Sequence, residues 1–122
     1  MKIILFIEDE PTLQKTVGKI LEQEGFDVKS ATDGEAGLIR AREIKPDLIL
    51  LDLILPKKDG FEVLTELKKD ENTKNIPVIV LTNLEGTKDV ERALELGANT
   101  YLVKANYELE EVVQKVREII GQ

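Results

Sequence analysis

Leu48-Ile49-Leu50-Leu51-Asp52 is the stretch on which the fold turns. Four apolar residues run without a polar interruption and end on a carboxylate. Three other stretches repeat the pattern: Ile3-Ile4-Leu5-Phe6-Ile7 ends at Glu8-Asp9, Val78-Ile79-Val80-Leu81 at Thr82, and Tyr101-Leu102-Val103 at Lys104. A short continuous apolar run bounded by polar residues reads as a strand buried on both faces, the habit of parallel sheets. In open parallel sheets ligands bind outside the carboxyl ends of the strands. Three carboxylates, a hydroxyl and an ammonium are therefore expected at one edge. That set of groups suits a divalent metal and a phosphoryl group.

Helical patterns fill the spaces between the runs. Strands are expected at about 2–7, 27–31, 47–51, 78–82 and 100–103, and helices at about 11–24, 34–43, from 58 or 59 to 69, and 87–96. Pro11 suits a first helical turn, where its missing N–H costs nothing. Leu13, Val17, Ile20 and Leu21 make that helix's buried stripe, and Gly25 stops it. In the second strand Val28 alternates with Lys29 and Ser30, so it reads as an edge. Phe61, Leu64 and Leu67 mark the inner side of the third helix. The last helix is the clearest: Asn106 is its expected cap, Glu108, Glu110 and Glu111 suit its positive end, and Gly121 closes it. Strict alternation with short loops gives one α/β domain over 1–122, a doubly wound five-stranded parallel sheet with five helices on two faces.

Bulk properties narrow the classes. With 122 residues there is room for one core and no second domain. No apolar run approaches a membrane span, so no membrane insertion is expected. The start Met1-Lys2-Ile3 leads directly into a strand without a signal-peptide pattern, which points to the cytoplasm. The chain lacks cysteine and histidine, which excludes a disulfide framework, thiolate metal sites and Ser-His catalysis. A net charge of −7 argues against direct nucleic-acid binding, which needs a basic surface.

Taken in order, Phe6-Ile7-Glu8-Asp9-Glu10-Pro11, Leu51-Asp52-Leu53-Ile54-Leu55-Pro56 with Gly60, Leu81-Thr82, Gly97-Ala98 and Tyr101-Leu102-Val103-Lys104 resemble the receiver domain of bacterial two-component response regulators, over essentially the whole chain. The resemblance implies a flavodoxin-like sheet of order 2-1-3-4-5, as in the chemotaxis member of the family. It implies phosphorylation of Asp52 by a sensor histidine kinase, with Mg2+ required and Mn2+ as a substitute. Asp9 then binds the metal directly, Glu8 acts through water, and Asp52 and the backbone carbonyl of Ile54 complete the protein's ligands. Lys104 faces Asp52 and the phosphate oxygens. Thr82 is the switch hydroxyl and Tyr101 the aromatic coupled to it, filling the space Thr82 vacates. Ile54 and Leu84 flank the approach of a hydrolytic water. Neither can orient one, so slow loss of phosphate is expected.

Each residue also has a plainer use. Asp52 can shape a loop, Glu8 or Asp9 can cap the first helix, Lys104 can be a solvated strand end, Thr82 an ordinary strand residue, and Tyr101 a partly exposed edge residue. One position departs from the family: Ala105 follows Lys104 where proline, often in a cis peptide, is usual. A cis bond before a residue other than proline costs about 2.5–4 kcal/mol, so a trans Lys104–Ala105 bond is expected, with Lys104 still reaching Asp52.

The expected function is a signalling switch with no attached output domain. It catalyses only its own phosphorylation and dephosphorylation. Its downstream protein is expected on the face of the fourth helix, fifth strand and fifth helix, with Lys88, Glu91, Arg92, Glu95, Tyr101 and Tyr107. The alternative is a relay intermediate that passes phosphate to a histidine of a phosphotransfer protein. A haloacid-dehalogenase-like phosphatase would need a second Asp where Ile54 stands. A flavin-binding flavodoxin-like protein would need a phosphate loop where Glu8-Asp9-Glu10-Pro11 stands.

Overall fold

The computed structural model describes residues 1–121. Five strands alternate with five helices: β1 (Ile3–Ile7), α1 (Pro11–Gln23), β2 (Asp27–Ala31), α2 (Gly34–Ile44), β3 (Leu48–Leu51), α3 (Gly60–Lys69), β4 (Val78–Thr82), α4 (Thr87–Glu95), β5 (Thr100–Val103) and α5 (Leu109–Ile120). All strand pairs are parallel and the order is β2-β1-β3-β4-β5. β2 lies at an edge, as its alternating pattern predicts.

The continuous apolar runs are explained by burial on both faces. Leu5, Ile7, Ile49, Leu51, Val78 and Val80 pack with side chains of α2, α3 and α4, among them Leu38, Leu64 and Ala93. Ile4, Phe6, Leu48, Leu50, Ile79 and Leu81 pack with α1 and α5 through Val17, Leu21, Val112 and Val116. Successive strand residues point to opposite faces, so each run serves two cores at once. Leu50 is fully buried; Leu50→Ala would cost about 2–5 kcal/mol through lost burial and the cavity left behind.

One cap differs from expectation, at α5, and the capping role open to Glu8 and Asp9 at α1 is taken by a neighbour. Glu10, rather than Glu8 or Asp9, caps α1: its carboxylate accepts from the amides of Thr12 at 3.1 Å and Leu13 at 2.7 Å. A carboxylate at that end also complements the helix dipole. Glu108, rather than Asn106, caps α5, in a reciprocal pair with Glu111, whose side chain accepts from the Glu108 amide. Asn106 instead closes a single 3₁₀ turn, Lys104–Asn106. Asp59 caps α3 by accepting from the Glu62 amide at 3.1 Å, which fixes the start of that helix at Gly60.

Candidate functional site

Parallel pairing brings the carboxyl ends of β1, β3, β4 and β5 to one edge of the sheet. Glu8 and Asp9 follow β1, Asp52 follows β3, Thr82 ends β4, and Lys104 follows β5. β3 is the central strand, so Asp52 stands between the acidic pair on one side and β4 on the other. One carboxylate oxygen each from Glu8, Asp9 and Asp52 lies within 4.8 Å of the others. Glu8 and Asp52 are buried and Asp9 is exposed.

Asp52 is held on both oxygens. Oδ1 accepts from the Ile54 amide at 3.2 Å and Oδ2 from Lys104 Nζ at 3.0 Å. The turn after it depends on Gly60. A Cβ there would lie 2.4 Å from Leu53 Cα and 2.5 Å from the Asp52 carbonyl oxygen, so only glycine lets the start of α3 pack this closely under the loop.

Lys104 Nζ also lies 2.8 Å from Glu8 Oε1. That contact is an ion pair without the alignment of a hydrogen bond, which leaves Oε1 buried without a hydrogen-bond partner. Glu8 Oε2 accepts from the Glu10 amide at 3.0 Å. Burial raises the Glu8 carboxyl above its usual range, and it outweighs the lowering by Lys104 and the Glu10 amide. At Lys104 burial pulls the other way, but the Glu8 and Asp52 carboxylates outweigh it and hold the ammonium above its usual range. Charge on Glu8 is therefore costly in this pocket, and an added cation would relieve it.

The remaining expected residues fall into place unevenly. Glu8, Asp9, Asp52, Ile54 and Lys104 line one cleft, together with Glu10, Pro11 and Asn83. Asn83 was missed in the sequence; its only signal is its place directly after a strand-end residue. Thr82 is fully buried, its Oγ1 3.5 Å from the Leu84 amide, and it does not line the cleft. Ile54 is 53% exposed at the mouth, whereas Leu84 is half-buried against the core on the α2–α4 side. Tyr101 Oη donates to the Leu84 carbonyl at 2.8 Å. Burial, then the charges of Asp89 and Asp52, raise its phenol above the usual range, so it remains a donor. The Lys104–Ala105 peptide is trans, and Lys104 still reaches Asp52.

The chain is similar in sequence and fold to known proteins. The family model for the response regulator receiver domain matches residues 4–117. Among curated relatives, the DNA-binding dual master transcriptional regulator RpaA of Synechocystis is 42% identical over 98% of this chain and 49% of its own length. The DNA-binding response regulator MtrA of Mycolicibacterium smegmatis is 39% identical over 93% of the chain and 48% of its own. The chain thus spans about half the length of these relatives. Among solved structures, the Mn2+-bound response regulator Rcp1 is 36% identical with TM-score 0.85, covering 97% of this chain and 93% of that one. The receiver domain of the sensor histidine kinase PA1611 from Pseudomonas aeruginosa PAO1, with a magnesium ion in its active-site cleft, is 31% identical with TM-score 0.89, covering 99% and 98%.

The relatives leave two expectations without support. A charge of −7 describes these 122 residues alone, whereas RpaA and MtrA are DNA-binding proteins about twice as long. Neither the exclusion of nucleic acid nor the lack of an output domain is carried forward. Among the described residues no helix is long and apolar enough to cross a membrane. With the sheet order, the acidic cluster at its carboxyl edge and a family match over nearly all of its length, the chain belongs to the response regulator receiver domains of two-component systems.

Proposed function

We propose that this chain is a phosphorylation-dependent switch that accepts a phosphoryl group from a sensor histidine kinase on Asp52. The observation that carries the reading is the environment of Asp52: a buried carboxylate at the end of the central strand, bonded to Lys104 and within 4.8 Å of the Glu8 and Asp9 carboxylate oxygens. The residues fit a magnesium ion. Oxygen donors are what the metal prefers, and three carboxylates converge here around a single ammonium, which leaves the cluster net negative. Glu8, Asp9, Asp52 and the Ile54 carbonyl would hold it, with Mn2+ able to substitute. The ion supplies neutralisation of the charge that develops on the transferred phosphoryl.

The protein's own residues do the rest. An Asp52 carboxylate oxygen attacks phosphorus. The new O–P bond forms as the P–N bond to the donor imidazole breaks, and the electron pair leaves on that nitrogen. Lys104 neutralises charge beside Asp52 throughout. Thr82 then donates its hydroxyl to a phosphoryl oxygen, drawing the β4–α4 loop inward, and Tyr101 follows the loop through the Leu84 carbonyl. The output surface is the α4–β5–α5 face with Lys88, Glu91, Arg92, Glu95, Tyr101 and Tyr107. Arg92 is already committed in part, since its guanidinium lies 4.1 Å from the centre of the Phe61 ring. A cytoplasmic location goes with this reading, and the chemistry is confined to gaining and losing its own phosphoryl group.

A relay role is the second reading. It is favoured by the apolar Ile54 at the mouth of the cleft, which slows hydrolysis and leaves a phosphoryl group available to a histidine on another protein. Intact-mass spectrometry with acetyl phosphate tests the shared step. One added phosphoryl in Mg2+, absent in EDTA and absent in Asp52→Asn, is expected; labelling of that variant contradicts the assignment.

A further inference from the structure

The acidic pair at the end of β1 is held from outside by one side chain of α1. Gln14 Nε2 donates to the Glu8 carbonyl oxygen at 2.9 Å and to the Ala31 carbonyl oxygen at 3.1 Å. Both partners can only accept, so the nitrogen end of the amide must face them. The same Ala31 oxygen accepts from the Glu8 amide at 2.9 Å. Gln14 thus ties the last residue of β2 to the residue just past β1, at the position where Glu8 gives way to Asp9.

The Glu8 carbonyl belongs to the peptide unit whose nitrogen is that of Asp9. A peptide unit is planar and rigid. Fixing its oxygen therefore restrains the plane that joins the two acidic residues, and with it the position of the Asp9 Cα from which the exposed side chain starts. Glu8 is otherwise secured by burial, by Lys104 and by the Glu10 amide. Asp9 is exposed; its position is set by the backbone that carries it. Gln14 itself is held in place because Glu10 caps the first turn of α1.

We infer that Gln14 is a positioning residue for the metal site, setting the Glu8–Asp9 peptide plane so that both carboxylates face Asp52. The inference rests on the reading of Glu8, Asp9 and Asp52 as magnesium ligands. It predicts an effect on ion discrimination as well as on affinity. Magnesium demands near-ideal octahedral geometry, whereas calcium accepts irregular and flexible sites. Loss of the clamp should therefore weaken magnesium more than calcium. Groups that orient metal ligands from behind are worth about 10–100-fold in metal affinity.

Calorimetric titration of the intact chain with magnesium and, separately, calcium tests this in wild type, Gln14→Met and Gln14→Leu. Both substitutions keep a helix-forming side chain and remove the amide, and two shapes guard against one of them crowding the loop. The expected result is magnesium affinity lowered about tenfold or more, calcium affinity lowered less, and a metal-free melting temperature within a few degrees of wild type. Unchanged magnesium affinity overturns the inference while leaving the metal site standing. Equal weakening of both ions, together with a large loss of metal-free stability, also overturns it, because that is the mark of a structural clamp alone. If wild type itself takes up no magnesium, the metal reading fails first and the role of Gln14 with it.

Discussion

Lys104 Nζ lies 2.8 Å from Glu8 Oε1, so the ammonium at the end of β5 serves a carboxylate two strands beyond β4 as well as Asp52 at 3.0 Å. Without metal, Lys104 is the counter-charge for both. Breaking a buried pair by removing one partner costs about 3–5 kcal/mol. The Lys104 side chain is 16% exposed and the cleft is open, so the loss here is expected at or below the lower end. Lys104→Met should lower the melting temperature in EDTA, and millimolar magnesium should recover more stability in the variant than in wild type. A variant that melts like wild type in EDTA would show that the pair contributes nothing.

Metal binding to the folded state alone stabilises by mass action, about 2.7 kcal/mol at a free concentration one hundred times the dissociation constant. The melting temperature of wild type should therefore rise with magnesium, and with calcium. Asp9→Asn should flatten that rise, and its metal-free form should be no less stable than wild type because repulsion among the three carboxylates falls. A steep magnesium response retained by the variant would remove Asp9 from the ligand set.

The lifetime of the phosphoryl group is expected to be set by access of water. Ile54 is exposed and packs against little, so Ile54→Asn can be made with small cost to the fold. It places an amide able to orient water beside Asp52, and positioning of this kind is worth on the order of 10²-fold. Leu84 is half-buried against the core, so Leu84→Glu carries a stability cost of its own and is best added second. Inorganic phosphate release from the labelled protein should quicken in Ile54→Asn and further in the double variant. Rates equal to wild type would show that water access is not limiting.

Tyr101 holds the β4–α4 connection through the Leu84 carbonyl. A hydrogen bond of this kind contributes about 0.5–1.5 kcal/mol. Tyr101→Phe keeps the ring and removes the donor. Amide exchange at residues 83–86 should quicken while exchange in the β1–β3 core stays slow. Uniform change across the chain, or none, would show that the bond does not fasten this loop.

Much of this architecture was legible in the residues themselves. Runs such as Leu48–Leu51 permit few arrangements, since burial on two faces demands a parallel sheet with helices on both sides, and their last residues then share an edge. Side-chain direction past the strand ends was less legible. Lys104 was expected at Asp52, and its second contact with Glu8 depends on how far the side chain reaches from the edge strand β5 across the ends of β4 and β3, which no local pattern encodes. The cap of α5 was missed for a similar reason, although the starts of α1, α2 and α4 fall where the sequence places them. Asn106 and Glu108 are both chemically able to cap α5, and the 3₁₀ turn after β5 selects Glu108. Glu10 won over Glu8 because the Glu8 side chain is drawn into the buried pocket. Gln14 gave no signal, since a polar residue on an amphipathic helix reads as solvated unless the strand end beneath it is known.

The most direct test of the account is chemical trapping of the phosphorylated residue. An acyl phosphate on aspartate is reduced by borohydride to homoserine, whereas phosphate esters of serine, threonine and tyrosine are not. The protein is labelled with acetyl phosphate in magnesium, reduced, digested and mapped by mass spectrometry. The account predicts homoserine at position 52 alone, dependent on magnesium and absent when EDTA is present during labelling. Homoserine at position 9 or another carboxylate, or a phosphorylated protein without homoserine at position 52, would contradict it.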